Sequence, residues 1–245
     1  MDKAEYEKLA AREQVHWWHV SRRRILATAL ENLHLPDTAR ILEVGSGTGG
    51  NLRMLSNFGQ LDAMEADGDA RAIAAQATGV PIARGALPTD IPYPERTFDV
   101  VAAFDVIEHI DDDQHSVRAL YSITKPGGWF VSTVPAYGWM WSEHDELLHH
   151  KRRYTLGPYT SMIEAAGFRV RKGSYFNTFL FPLAAGVRLA QEILGKSANA
   201  ERTVPRRTVN KILAAIFSAE APLLRTLSFP FGMSILVIAQ RPYDG

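Results

Sequence analysis

The chain has 245 residues, 46% hydrophobic and 22% charged, the balance of one globular domain with an ordinary core. Lys plus Arg and Asp plus Glu are equal at 27 each, which weighs against a dedicated nucleic-acid binder, because such proteins carry a basic footprint. Cysteine is absent, so disulfides, thiolate zinc sites and cysteine nucleophiles are excluded. The N-terminal "MDKAEYEKLA" has no apolar core and does not read as a secretory signal. The longest apolar stretch, around "FNTFLFPLAAGV", falls short of the ~20 residues of a membrane span, so a cytoplasmic protein is expected.

Residues 1–34 read as helical: "DKAEYEKLAAREQ" is rich in helix formers, and Ile25, Leu26, Ala29, Leu30 and Leu33 follow at helical spacing. Pro36 ends the run. "ARILEV" is a β-type run, followed by a glycine turn into a helix at "GGNLRMLSNF". "LDAMEA" reads as a strand, "DARAIAAQA" as a helix and "VPIAR" as a third strand. "TFDVVAAFDV" is nearly continuously apolar, the mark of a strand covered on both faces. "DQHSVRALYSIT" is the next helix, broken by "PGG", and "WFVSTVP" the fifth strand. This alternation predicts right-handed βαβ units and a mainly parallel sheet.

Beyond Pro135 the rhythm changes. "AYGWMWSEHDELLHHKRRYT" is rich in aromatics, histidine and arginine without a clean period. "LGPYTSMIEAAG" is a helix and "FRVRKGSYF" a strand. Residues 177–231 form a long apolar insertion with a polar break at "GKSANAERTVPRRT", before a last strand at "MSILVIAQRP".

The glycine turn admits two patterns. Gly45, Gly47 and Gly50 fit the dinucleotide-binding G-x-G-x-x-G, whereas Gly45, Gly47 and Gly49 fit G-x-G-x-G. Glu65 lies 22 positions after Glu43, in the window where an acid at the end of the second strand accepts ribose hydroxyls; Asp67 competes for that role. Loop and ribose acid alone therefore leave the adenosine cofactor open. Glu43 decides more: its charge would repel a pyrophosphate but suits a cofactor bearing an ammonium and a sulfonium.

The ordered set "LEVGSG", "FDVVAAFDVIEHI" and "KPGGWFVSTVP" resembles the class I S-adenosylmethionine-dependent methyltransferases, over residues 38–176 and again at the last strand. "HWWHVSRRRIL" and "TVPAYGWMWSEHDELLHHKRRYT" resemble a bacterial subgroup of them. The resemblance implies an α/β fold: a Rossmann-like, mainly parallel sheet in a single domain spanning 1–245. An N-terminal helical cap covers 1–37, the core takes 38–176 and 231–245, and a helical lid or insertion takes 177–230. It implies S-adenosylmethionine as cofactor, with methyl transfer to an oxygen, nitrogen or carbon of a small-molecule, lipid-linked sugar or peptide acceptor. The alternatives are a nicotinamide-dependent oxidoreductase and a non-catalytic cofactor-binding or interaction protein.

The resemblance also implies site roles. Gly45, Ser46 and Gly47 present backbone amides to the methionine portion, Glu43 meets the ammonium, and Glu65 with Ala66 takes the ribose. Where many relatives place Gly-Asp this chain has "RGALP", so adenine contacts fall to the backbone of Ala86 and Leu87. Phe104 and Asp105 line the path to the acceptor. Asp105, Glu108 and His109 stand at i, i+3 and i+4 and would share a face if a helical turn begins there. They read as a general base at His109, as a loop cap, or as a cation site like one in related quinone O-methyltransferases; no metal is expected. His144 is a second catalytic candidate. His149, Arg152, Arg153 and Tyr154 are acceptor-binding candidates, the arginines as a clamp for a carboxylate or phosphate. His16, Trp17, Trp18 and Arg22 either fold over the cofactor or only pack. No nucleic-acid partner and no transmembrane segment are expected. "FLFPLAAGV", "ILAAIF" and "VPRR" also suit contact with a membrane surface.

Overall fold

A computed structural model describes residues 3–194 and 204–244. Most of the polar break read at 195–208 lies outside the described residues. The β-type runs form strands β1 (Arg40–Val44), β2 (Gln60–Glu65), β3 (Ile82–Arg84), β4 (Phe98–Phe104), β5 (Thr124–Pro135), β6 (Arg169–Phe176) and β7 (Ser234–Gln240). They build one sheet of order β3-β2-β1-β4-β5-β7-β6. β7 runs antiparallel between β5 and β6, and the pairings from β3 through β5 are parallel. The sheet order reverses between β1 and β4, and ligands of open α/β sheets bind outside the carboxyl ends of the strands at such a point.

Both faces are covered, which explains the apolar strands. Val117, Leu120 and Ile123 of α5 (Asp113–Ile123) and Tyr159 and Ile163 of α7 (Leu156–Ala165) pack with Leu42, Val101 and Phe130. On the other face, Ile25, Leu26 and Leu30 of α2 (Trp17–Glu31) lie in one cluster with Phe217 of α9 (Arg207–Ser218) and Leu224 of α10 (Glu220–Leu224). α9 and α10, within the expected lid or insertion at 177–230, thus form part of a core layer. The third helix of the insertion is α8 (Phe181–Leu194).

The N-terminal helical run is divided into two helices. α1 (Lys3–Val15) ends before His16, whose extended backbone (ψ 132°) and Nδ1, accepting from the Trp18 N–H, cap α2. The helix expected after the glycine turn is short, α3 (Leu52–Leu55). α4 (Gly68–Thr78) is capped by Asp67, which accepts the N–H groups of Asp69 and Ala70, and ends at Gly79 in left-handed backbone.

Candidate active site

The glycine loop leaves β1 at the reversal point. Gly45, Gly47 and Gly49 hold φ of 67°, 52° and 85°, so G-x-G-x-G is the pattern with conformational content here. A Cβ on Gly47 would enter open space, whereas one on Gly50 would meet the Glu13 carboxylate at 2.6 Å. Gly50 therefore serves the approach of α1 rather than the turn. Glu13 accepts the Thr48 hydroxyl at 2.6 Å, and Tyr6 bonds Asp67, so α1 crosses the ends of β1 and β2. Nothing in the spacing announces Glu13, Tyr6 or Thr48, because the contacts join segments far apart in sequence.

Glu43 is buried, with small neighbours Ala63 and Ala102 on the adjoining strands. One carboxylate oxygen accepts from Asn51 Nδ2 at 2.8 Å, and the other has no partner. Burial pushes its pKa up to about 8, against the pull of the Asn51 hydrogen bond. Glu65 accepts the Gly47 N–H through one oxygen and the Asp67 N–H through the other, both at 2.9 Å. A carboxylate so held still has lone pairs free for a cis-diol. Asp67 is committed to its helix cap. The amides of Gly45 and Ser46 turn to the Met64 carbonyl, at 2.9 and 3.1 Å, leaving Gly47 as the member of that trio aimed at Glu65. Ala66 is exposed, and its carbonyl accepts from Arg71. Ala86 exchanges both backbone hydrogen bonds with Asp90, beside half-buried Leu87.

Arg22 is buried and fixes α2 to the sheet ends: it meets Asp105 at 2.6 Å and Thr133 Oγ1 at 3.0 Å, with its guanidinium over the Phe104 and Trp18 rings. Trp17 packs against Phe217. Asp105 takes left-handed backbone (φ 56°) and the chain then makes a 3₁₀ turn, Ile107–His109, so Asp105, Glu108 and His109 do not share one helical face. The ion pair with Arg22 draws Asp105 away. A different trio converges instead: ligand atoms of Glu108, His109 and His150 lie within 4.8 Å of one another. Glu108 is fully buried with both carboxylate oxygens unpartnered, and burial, then Asp105, raises its pKa well above the usual range. Burial, then His150, lowers His109 to about 4.

The "HDELLHHKRRY" segment is organised by Asp145, which is fully buried at the start of the short helix α6 (Glu143–Leu147). It accepts from Ser142, from His150 Nδ1 at 2.8 Å, and from Arg153 Nε and Nη2 at 2.7 and 2.9 Å. Burial alone would raise its pKa, but the hydrogen bonds from His150 and Arg153 outweigh this and hold it low. Arg152 pairs with Asp113 at 2.8 Å, and the Tyr154 hydroxyl donates to the same carboxylate. The anion clamp expected of Arg152 and Arg153 thus meets two arginines that already hold carboxylate partners. His149 is exposed in left-handed backbone (φ 58°), and His144 is half-buried on α6. Tyr137, bulky and at φ 58°, stacks on Tyr175 and touches Phe181 of α8, walling the end of β5.

Residues 17–177 match the family described as "Methyltransferase domain". The chain belongs to that family. It is 30% identical over 136 residues to a Mycolicibacterium smegmatis protein described as "Probable S-adenosylmethionine-dependent methyltransferase", covering 53% of this chain and 52% of that one. The chain thus spans about half the length of that curated relative. Among solved structures, it resembles the S-adenosylmethionine-dependent methyltransferase of Mesorhizobium loti (TM-score 0.57, 19% identity, 87% of this chain and 96% of that one). It also resembles Haemonchus contortus phosphoethanolamine N-methyltransferase 2 in complex with S-adenosyl-L-methionine (TM-score 0.60, 18% identity, 89% of this chain and 52% of that one). The [4+2]-cyclase SpnF is similar too (TM-score 0.56, 18% identity, 91% of this chain and 81% of that one). At these identities the likeness is one of fold, and the fold alone does not fix the reaction.

Proposed function

We propose that the protein transfers a methyl group from S-adenosylmethionine to an oxygen, nitrogen or carbon atom of a small-molecule, lipid-linked or peptide acceptor. The carrying observation is Glu43: a buried carboxylate at the glycine loop with one oxygen lacking a partner. An ammonium supplies that partner. A pyrophosphate supplies no such partner: it would oppose the ionisation of Glu43, already disfavoured by burial, which weighs against the nicotinamide alternative. Bound here, the cofactor supplies an electrophilic methyl on a sulfonium.

The chain's residues do the rest. Glu65 accepts the ribose hydroxyls and the Gly47 amide fixes its orientation. Ala86 and Leu87 border the adenine, with Ala86 tied to Asp90 and Leu87 giving an apolar side. Phe104 and the Arg22–Asp105 pair close the region between cofactor and acceptor. Segment 137–154 and the start of α8 wall the acceptor, which must sit about 3–3.5 Å from the methyl and in line with it. His109, lowered to about 4, is unprotonated at neutral pH, the state a general base needs. So weak a base adds less than one poised near 7, and positioning carries most of the rate. Asp145 and Arg153 act through His150 as positioning residues.

The test is incubation with S-adenosylmethionine and extracts of the host lacking this gene, with and without a chelator, followed by mass spectrometry. We expect a species gaining one methyl in both arms. Cofactor binding without any methylated product assigns a non-catalytic role. Loss under chelation with rescue by a divalent cation assigns Glu108, His109 and His150 to a metal.

A further inference from the structure

The insertion between β6 and β7 carries more apolar surface than its packing uses. Among the described residues, eleven of the fifteen exposed large apolar side chains lie at 177–231. α9 turns Phe217 and Ser218 inward, Ser218 bonding Ser21 of α2 at 3.0 Å. Its outward face shows Val209, Ile212 and Ile216, exposed by 47%, 53% and 38%. They stand at i, i+3 and i+7, so the helix is apolar on two faces, where a surface helix of a globular protein turns charge outward. Along α8 no side chain from 181 to 190 is buried. Its exposed positions there are Pro182, Leu183, Gly186, Val187, Leu189 and Ala190, and its one charge over that stretch, Arg188, is half-buried.

Charge selects the occupant. Residues 177–231 hold seven basic and three acidic residues in a chain that is neutral as a whole. Arg206, Arg207 and Lys211 are exposed at the start of α9, while Glu220 is buried and accepts the Phe179 N–H at 2.8 Å. The intervening "GKSANAERT" at 195–203 has no large apolar side chain with which to cover these faces. A two-fold contact with a second copy would set this surface against itself, and Glu220, being buried, offers Arg206, Arg207 and Lys211 no counter-charge there. We propose that α8 and α9 dock on an anionic lipid surface, with the apolar faces at the headgroup–acyl boundary and the basic residues at the lipid phosphates. Among the described residues no helix is long and apolar enough to cross a membrane, so the contact is peripheral.

The test is co-sedimentation of the full chain with vesicles of phosphatidylglycerol and phosphatidylcholine, against phosphatidylcholine alone. Sedimentation velocity without vesicles reports the oligomeric state. We expect pelleting with the anionic vesicles and weaker pelleting with the neutral ones or in high salt. Ile212→Glu should abolish it, and Arg206→Gln with Lys211→Gln should weaken it roughly 30-fold. Affinity for S-adenosylhomocysteine should be unchanged in all variants, which shows that they fold and keeps this inference apart from the methyl-transfer proposal. No binding to anionic vesicles, or binding that Ile212→Glu leaves intact, overturns the proposal. Self-association that Ile212→Glu abolishes, without vesicle binding, assigns the face to a second copy instead.

Discussion

At the end of β2, Glu65 and Asp67 are two residues apart, and their carboxylates meet different donors. Glu65 faces the Gly47 amide across the loop, and Asp67 caps α4. Glu65→Ala should cost ~1.5–3 kcal/mol of cofactor binding, or about 10- to 150-fold in Kd by calorimetry. Asp67→Ala should instead cost ~0.5–2 kcal/mol of stability and leave Kd nearly unchanged. The reverse pattern moves the proposed ribose site to Asp67. Glu43 gives a pH signature. With its pKa raised to about 8 in the free protein, it is mostly protonated at pH 6–7.5. Pairing with an ammonium requires the carboxylate, so binding releases a proton and Kd falls as pH rises through that window, by up to about tenfold per unit. Glu43→Gln should flatten the profile, and a flat wild-type profile contradicts the pairing. That Glu43 and Glu65 lie beside the glycine turn was legible, because strand-end acids around such a turn have a recognisable spacing. Glu13, which approaches the same loop, was not, since only the tertiary path of α1 brings it there.

The segment from Ser142 to Tyr154 has little regular structure and is organised by one buried side chain. Asp145 gathers Ser142, His150 and Arg153, and the Lys151 N–H donates to the Glu108 carbonyl at 2.8 Å. This ties the segment to the turn after β4 and sets His150 beside His109, with ring centroids 4.7 Å apart. Arg153→Ala removes the guanidinium from a buried carboxylate, leaving it only Ser142 and His150, and should cost ~3 kcal/mol in chemical denaturation. Arg152→Ala breaks a more exposed pair and should cost ~1 kcal/mol or less. If Arg153→Ala is as stable as wild type and only raises the acceptor KM, Arg153 binds acceptor after all. The residue types of this segment were visible in the sequence, but their pairing was not. A run of histidines and arginines reads equally as a ligand clamp or a solvated loop until the acid that ties it together is located. The N-terminal residues read as helical are so, but the break at His16 was hidden for a related reason: helix-forming residues run through it, and only its capping geometry interrupts them.

Across the whole molecule, fold class was the most legible feature. Strands covered on both faces are continuously apolar, and their alternation with helices leaves few topologies. The antiparallel β7, inserted between β5 and β6, and the packing of α9 beside α2 depend on contacts between segments far apart in sequence, which no local pattern encodes. The same topology gathers Glu43, Gly47, Glu65 and Asp105 at one edge of the sheet, where the strand order reverses. The central claim is that this edge is built for a cationic adenosine cofactor rather than a pyrophosphate-bearing one. Titration calorimetry of the full chain with S-adenosylhomocysteine and, separately, with NAD tests it most directly. The account predicts saturable one-to-one binding of S-adenosylhomocysteine and none of NAD; saturable NAD binding with none of S-adenosylhomocysteine would contradict it.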